Sequence, residues 1–201
     1  MQTITIRFLL KYLLTAFILI LVPVYIHYYG LQNFLWLSDV GLFLTVIGLW
    51  WNRALFISMA TICVFLTEFI WNVDYFAELL FGINLIDLSD YMFDNSYSLF
   101  LRSLSLFHVV LPIIWIWYLY KHGYDRRALK YGTLLYWTIL VCTYIGTDAT
   151  ANINWVFLPE VHSLPIHIAP LVWVMILAIA FPLFVFLPTH LICSAIFKKR
   201  S

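Results

Sequence analysis

Residues 168–192 read IAPLVWVMILAIAFPLFVFLPTHLI, a run without one Asp, Glu, Lys or Arg. A soluble domain rarely has room for such a run, whereas about 20 consecutive apolar residues in an α-helix cross the hydrocarbon of a bilayer. The rest of the chain has the same character. Of its 201 residues 64% are hydrophobic and only 10% are charged, with a mean hydropathy of +0.95. That balance excludes an ordinary soluble domain. In lipid, only helices or closed barrels satisfy every backbone polar group, and barrel strands alternate apolar with polar residues in segments of about ten. The runs here are continuous. The expected fold class is therefore all-α integral membrane, one domain over residues 1–201.

Outward from this run, six spans are expected at about 8–29, 34–51, 54–71, 99–120, 131–147 and 168–192. The first differs from a cleaved secretory leader, because Leu21-Val22-Pro23-Val24-Tyr25-Ile26-His27 offers no small-residue cleavage site. Orientation follows from the cations, which concentrate on cytoplasmic flanks. Arg7 and Lys11 accompany span one, and Arg53 separates spans two and three. Lys121, Arg126, Arg127 and Lys130 separate four and five, and Lys198, Lys199 and Arg200 follow six, so ten of the eleven cations fall on one side. The opposite loops hold Asp74, Glu78, Asp87, Asp90, Asp94, Asp148 and Glu160 without Lys or Arg. Both termini are expected in the cytoplasm of a multi-pass protein, in a bacterial inner membrane or its equivalent. The formal net charge of +1 hides this transverse asymmetry.

Cys63, Cys142 and Cys193 each fall inside a span and form no disulfide framework. The basic residues read as topology signals, so membrane lipids are the expected partners and nucleic acid is not. Trp36, Trp50, Trp51, Trp71, Trp115 and Trp117 read as interfacial belts or packed faces. In the longest connection, residues 74–98, Phe76, Leu79, Leu80, Ile83 and Ile86 recur at helical spacing while Glu78, Asp87, Asp90 and Asp94 can face water. The pattern predicts an interfacial helix in the outer loop between spans three and four.

Polar residues inside spans carry the functional signal, because ionisable groups at membrane depth are costly and face an interior or a watery cleft. Ser38 and Asp39 open span two, while Glu68 and Asn72 share one stripe near the outer end of span three. Arg102, Ser105 and His108 follow at three-residue steps on span four, with Pro112 four residues further on. Asp148, Asn152 and Asn154 end span five, and Glu160, His162 and His167 lead into span six. All lie toward the outer end, which predicts an outward-facing polar pocket lined by Glu68, Asn72, Arg102, Ser105, Asp148, Asn152 and Asn154. A structural account pairs Arg102 with Asp39 or Glu68 and spends the Asn side chains on helix ends.

Three chemistries fit such a pocket. Ser38 and His108 supply a hydroxyl and a base for nucleophilic catalysis if spans two and four adjoin, with Asp39, Glu68 or Asp148 orienting the imidazole. Zinc is an alternative through His162, His167 and Glu160, but the spacing of these histidines matches no strong metal signature, so no cofactor is expected. A proton path would extend toward the inner half, where only Lys11 and His190 stand out.

The segments Leu37-Ser38-Asp39-Val40-Gly41-Leu42 and Leu106-Phe107-His108-Val109-Val110-Leu111-Pro112 resemble parts of the androgen-induced-protein-like six-helix intramembrane hydrolases. Related bacterial six-span proteins of uncertain function share the likeness. The resemblance implies lipid hydrolysis or acyl transfer, with Ser38 in the nucleophile position, where that family carries Thr or Cys, and His108 as base. The alternative from the residues themselves is a binding or accessory protein whose outer pocket holds a lipid, a metal or a partner helix.

Overall fold

A computed structural model describes residues 2–158 and 168–198. Among these the chain is helical, without a strand. The helices are α1 (Gln2–Tyr29), α2 (Leu37–Trp51), α3 (Ala54–Phe81), α4 (Leu99–Leu104), α5 (Phe107–His122), α6 (Ala128–Gly146), α7 (Pro170–Phe181) and α8 (Leu187–Ile196). A π-helical turn, Pro182–Phe186, joins α7 to α8. Ile6–Tyr29, Ala54–Phe81, Leu99–His122 and Pro170–Ile196 are each long and apolar enough to cross a membrane. The 15 residues of α2 are apolar but shorter, rising roughly 22 Å against a hydrocarbon core of about 30 Å. Leu19, Ile113, Ile145 and Phe184 are large, apolar and exposed on the outside of the bundle, a distribution suited to lipid.

The centre of the molecule is α3, which packs against α2, α5, α6 and α8. Its most apolar stretch is 56% buried, against 17% for α1 and for Pro170–Ile196, so these two lie at the periphery. Small residues allow the close approach. A Cβ on Gly48 of α2 would meet Ile57 Cγ1 at 2.6 Å, and one on Gly132 of α6 would meet Cys63 Sγ at 2.9 Å. Between α2 and α5, Trp115 Nε1 donates to Thr45 Oγ1 at 2.7 Å, while that hydroxyl donates to the Gly41 carbonyl.

Prolines inside helices leave the carbonyl four residues earlier without its backbone donor. Two of these carbonyls are met from a neighbouring helix. Pro112 frees the carbonyl of His108, and Asn72 Nδ2 on α3 donates to it at 2.8 Å. Pro182 frees the carbonyl of Ala178, and Trp137 Nε1 on α6 donates to it at 2.9 Å.

The separate interfacial helix expected within 74–98 does not form. Nothing in the sequence breaks α3 before Gly82, so the apolar positions from Phe76 to Leu80 continue that helix to Phe81. Gly82 then stops it at φ 65°, a left-handed conformation open to glycine, with its N–H and that of Ile83 bonded to the Glu78 and Ala77 carbonyls. The remainder is an irregular loop with one short 3₁₀ turn at Asp90–Met92. Asp74 holds this loop: one carboxylate oxygen accepts from the Leu85 and Ile86 N–H groups, the other from the Ser89 N–H and hydroxyl.

Contacts between distant segments distinguish the two ends of the bundle. At one end Arg7 bonds Asn52, the Asp125 N–H bonds Ser58 Oγ, and the Tyr124 N–H bonds the Phe197 carbonyl. Arg7, Arg53, Arg126, Arg127 and Lys198 therefore gather there. The 82–98 loop and residues 147–158 lie at the other end, where the Asn154 side chain bonds the Leu37 N–H and the Leu35 carbonyl.

Candidate functional site

The site is built on the middle of α3 and the start of α5. Glu68 and Asn72 are one turn apart on α3, and together they hold residue 108. Glu68 Oε2 lies 2.7 Å from His108 Nδ1, and Asn72 bonds both its own helix at Glu68 and the carbonyl that Pro112 freed. The imidazole is stacked between Trp71, at 4.6 Å, and Phe107, at 4.2 Å. Glu68 is 2% exposed and the His108 side chain 14%. The arrangement fixes the ring in direction and depth and engages Nδ1, leaving Nε2 as the nitrogen open to chemistry.

Asp39, in the first turn of α2, is fully enclosed and lies near both members of this pair. Its Oδ2 accepts from Asn33 Nδ2 at 3.1 Å. Its Oδ1 and the Oε1 of Glu68 are both buried without a hydrogen-bond partner among the described residues. A buried carboxylate oxygen without a donor is uncommon and costly, and here two occur in one layer. Ser105 sits at the break between α4 and α5, where its hydroxyl meets Tyr25 Oη of α1 at 3.1 Å.

Asp39, Glu68, Asn72, Ser105 and His108 thus come from α2, α3 and the α4–α5 segment into one layer. Ser38 neighbours Asp39 on the helix and is half-buried, but no hydrogen bond joins it to His108. Arg102 pairs with neither Asp39 nor Glu68. Its Nη1 donates to the Met92 carbonyl, because the break after α4 turns it toward the 82–98 loop. Asp148 accepts from the Thr150 and Ala151 N–H groups in an exposed turn, and Asn152 accepts from the Phe157 N–H. Asn154 caps α2. These three side chains organise loops. Glu160, His162 and His167 lie outside the described residues, and among the described residues no group of three His, Cys, Asp or Glu side chains is placed to hold a metal.

Sequence reasoning passed over Trp71, assigned to packing, and Asn33, Tyr25 and Phe107. Trp71 follows Glu68 by three residues and shares its face, a spacing that could have placed it against the same partner. Compared with protein-family models, curated proteins and solved structures, the chain matches none.

Proposed function

We propose that this chain is a six-span membrane protein with cytoplasmic termini that hydrolyses or transfers the acyl group of a lipid ester, using His108 as general base. The observation that carries the proposal is the 2.7 Å contact of Glu68 with His108 Nδ1, held between two aromatic rings. A carboxylate on one ring nitrogen selects the tautomer whose other nitrogen accepts a proton, and stabilises the imidazolium once formed. In the step proposed, Nε2 takes the proton of the attacking hydroxyl as its oxygen bonds the acyl carbon. The imidazolium then returns that proton to the departing alcohol. Ser38 is the hydroxyl that the resemblance to androgen-induced-protein-like hydrolases assigns, and Glu68 replaces Asp39 as the orienting carboxylate.

A non-enzymatic lipid-binding or accessory protein is the second reading, favoured by one observation: Ser38 makes no hydrogen bond to His108. Labelling with a serine-reactive fluorophosphonate separates the two. The enzyme is supported by labelling that disappears in Ser38→Ala and slows at least tenfold in Glu68→Gln, on the scale of general-base catalysis. Folded wild-type protein that never labels supports the binding protein, and stoichiometric zinc in such protein directs attention to His162 and His167.

A further inference from the structure

The cationic end of the bundle carries a groove that the proposed chemistry does not use. It encloses about 270 Å³ between the α5–α6 connection and the end of α8, and is lined by Tyr124, Arg126, Ser194, Phe197 and Lys198. Its walls are tied together twice. The Tyr124 N–H donates to the Phe197 carbonyl at 2.9 Å, and the Tyr124 hydroxyl lies 2.7 Å from His190 Nδ1. The groove is therefore held by the fold and is not a chance gap between side chains.

Three features of the lining ask for an anion. Arg126 and Lys198 are exposed cations, and neither forms an ion pair or hydrogen bond among the described residues. Arg127, next to Arg126, is by contrast paired with Asp125 at 2.8 Å, so the local carboxylate is already engaged by another cation. Among the described residues Ser194 Oγ is buried and without a partner, although a serine in a helix can donate to the carbonyl one turn back. Phe197 adds an apolar wall beside these donors. Two cations, a spare hydroxyl and an aromatic wall at the mouth of an apolar helix match a phosphate diester attached to acyl chains.

We propose that this groove binds the phosphate of an anionic phospholipid, with Arg126 and Lys198 on its oxygens, Ser194 donating a hydrogen bond and Phe197 against the glycerol and first methylenes. The site lies at the opposite end of the bundle from His108 and does not depend on the proposed enzymatic activity.

The test uses the full chain in phosphatidylcholine nanodiscs, with phosphatidylglycerol titrated into the lipid and the unfolding midpoint recorded. Wild type is expected to gain stability saturably with phosphatidylglycerol. Arg126→Gln/Lys198→Gln is expected to need roughly 30-fold more of it, as follows from losing two surface cations at about 1 kcal/mol each. Arg53→Gln, at the same end but outside the groove, should respond as wild type. Lys198→Gln alone touches no packed element, so it serves should the double variant fail to fold, with about a fivefold weakening expected. Inorganic phosphate is the comparison for the source of the anion, and no shift is expected at concentrations matching the lipid phosphate. The proposal is overturned if the groove variants respond as wild type, if Arg53→Gln weakens the response equally, or if inorganic phosphate alone reproduces the shift.

Discussion

Residue 108 is held twice from one helix, and the two holds do different work. Glu68 reaches its ring, while Asn72 reaches its carbonyl, which lacks a backbone donor only because residue 112 is proline. Asn72→Ala should therefore cost about 1 kcal/mol, the low end of the penalty for an acceptor left without a donor, because the bond is only part-buried. That penalty should shrink when Pro112→Ala restores the helical N–H. A double-mutant cycle read by unfolding in detergent checks this, and strictly additive costs would show that the two residues do not share the carbonyl. Asp148, in its exposed turn, offers a pH test. The Thr150 hydroxyl, and then the Ala151 and Thr150 N–H groups, favour its charged form and hold its carboxyl below the usual aspartate range. A lowered folded-state pKa gives stability that is present above about pH 4 and lost as pH falls through the lowered value. The difference in unfolding midpoint between wild type and Asp148→Ala should accordingly shrink between pH 6 and pH 3. A constant difference would mean that the turn does not depend on the charge.

At the scale of elements, apolar run length located most helices because a bilayer leaves the backbone few choices. The expected spans at 8–29, 131–147 and 168–192 lie within or close to α1, α6 and the α7–α8 stretch. Length alone failed between residues 72 and 98. The apolar positions there have helical period whether they start a new helix or prolong α3, and only Gly82 marks the difference. The polar stripe was legible in part. Glu68 and Asn72 share a face by spacing, and His108 follows Arg102 and Ser105, but spacing cannot show that the helix breaks at Ser105 and turns Arg102 away. Nor can it pair residues on different helices, so the choice of Glu68 over Asp39 as partner of His108 needed the packing. That packing depends on small residues. Gly48→Ala should cost about 1–3 kcal/mol through overpacking against Ile57, since the atom met is Cγ1 and not a free side-chain end. Thermal unfolding that leaves the midpoint unmoved would show that α2 and α3 have slack.

For the whole molecule, the separation of charge in the sequence reappears as two unlike ends, one gathering cations and the other the acidic 82–98 loop. In the proposed topology the cationic end faces the cytoplasm, as the positive-inside rule expects. In a background lacking the natural cysteines, Asn95→Cys should react with an impermeant thiol reagent applied to intact cells, and Lys121→Cys only after lysis. Both positions are exposed, whereas the nearby Tyr124 is buried and unsuited to labelling. Reaction of both from outside would end the six-span topology.

The carbonyls freed by proline carry a consequence for biosynthesis. Asn72 precedes His108 by 36 residues, and Trp137 precedes Ala178 by 41. The ribosome extends a chain at roughly 5–20 residues per second, so each donor leaves it seconds before the carbonyl it will meet. A proline-bearing helix released alone into lipid would carry a bare carbonyl that hydrocarbon cannot solvate. Here it emerges beside a helix already holding the missing donor. Emergence from the translocon in sequence order therefore suits the chain, and a circular permutant that delivered α5 before α3 would expose that carbonyl throughout the interval.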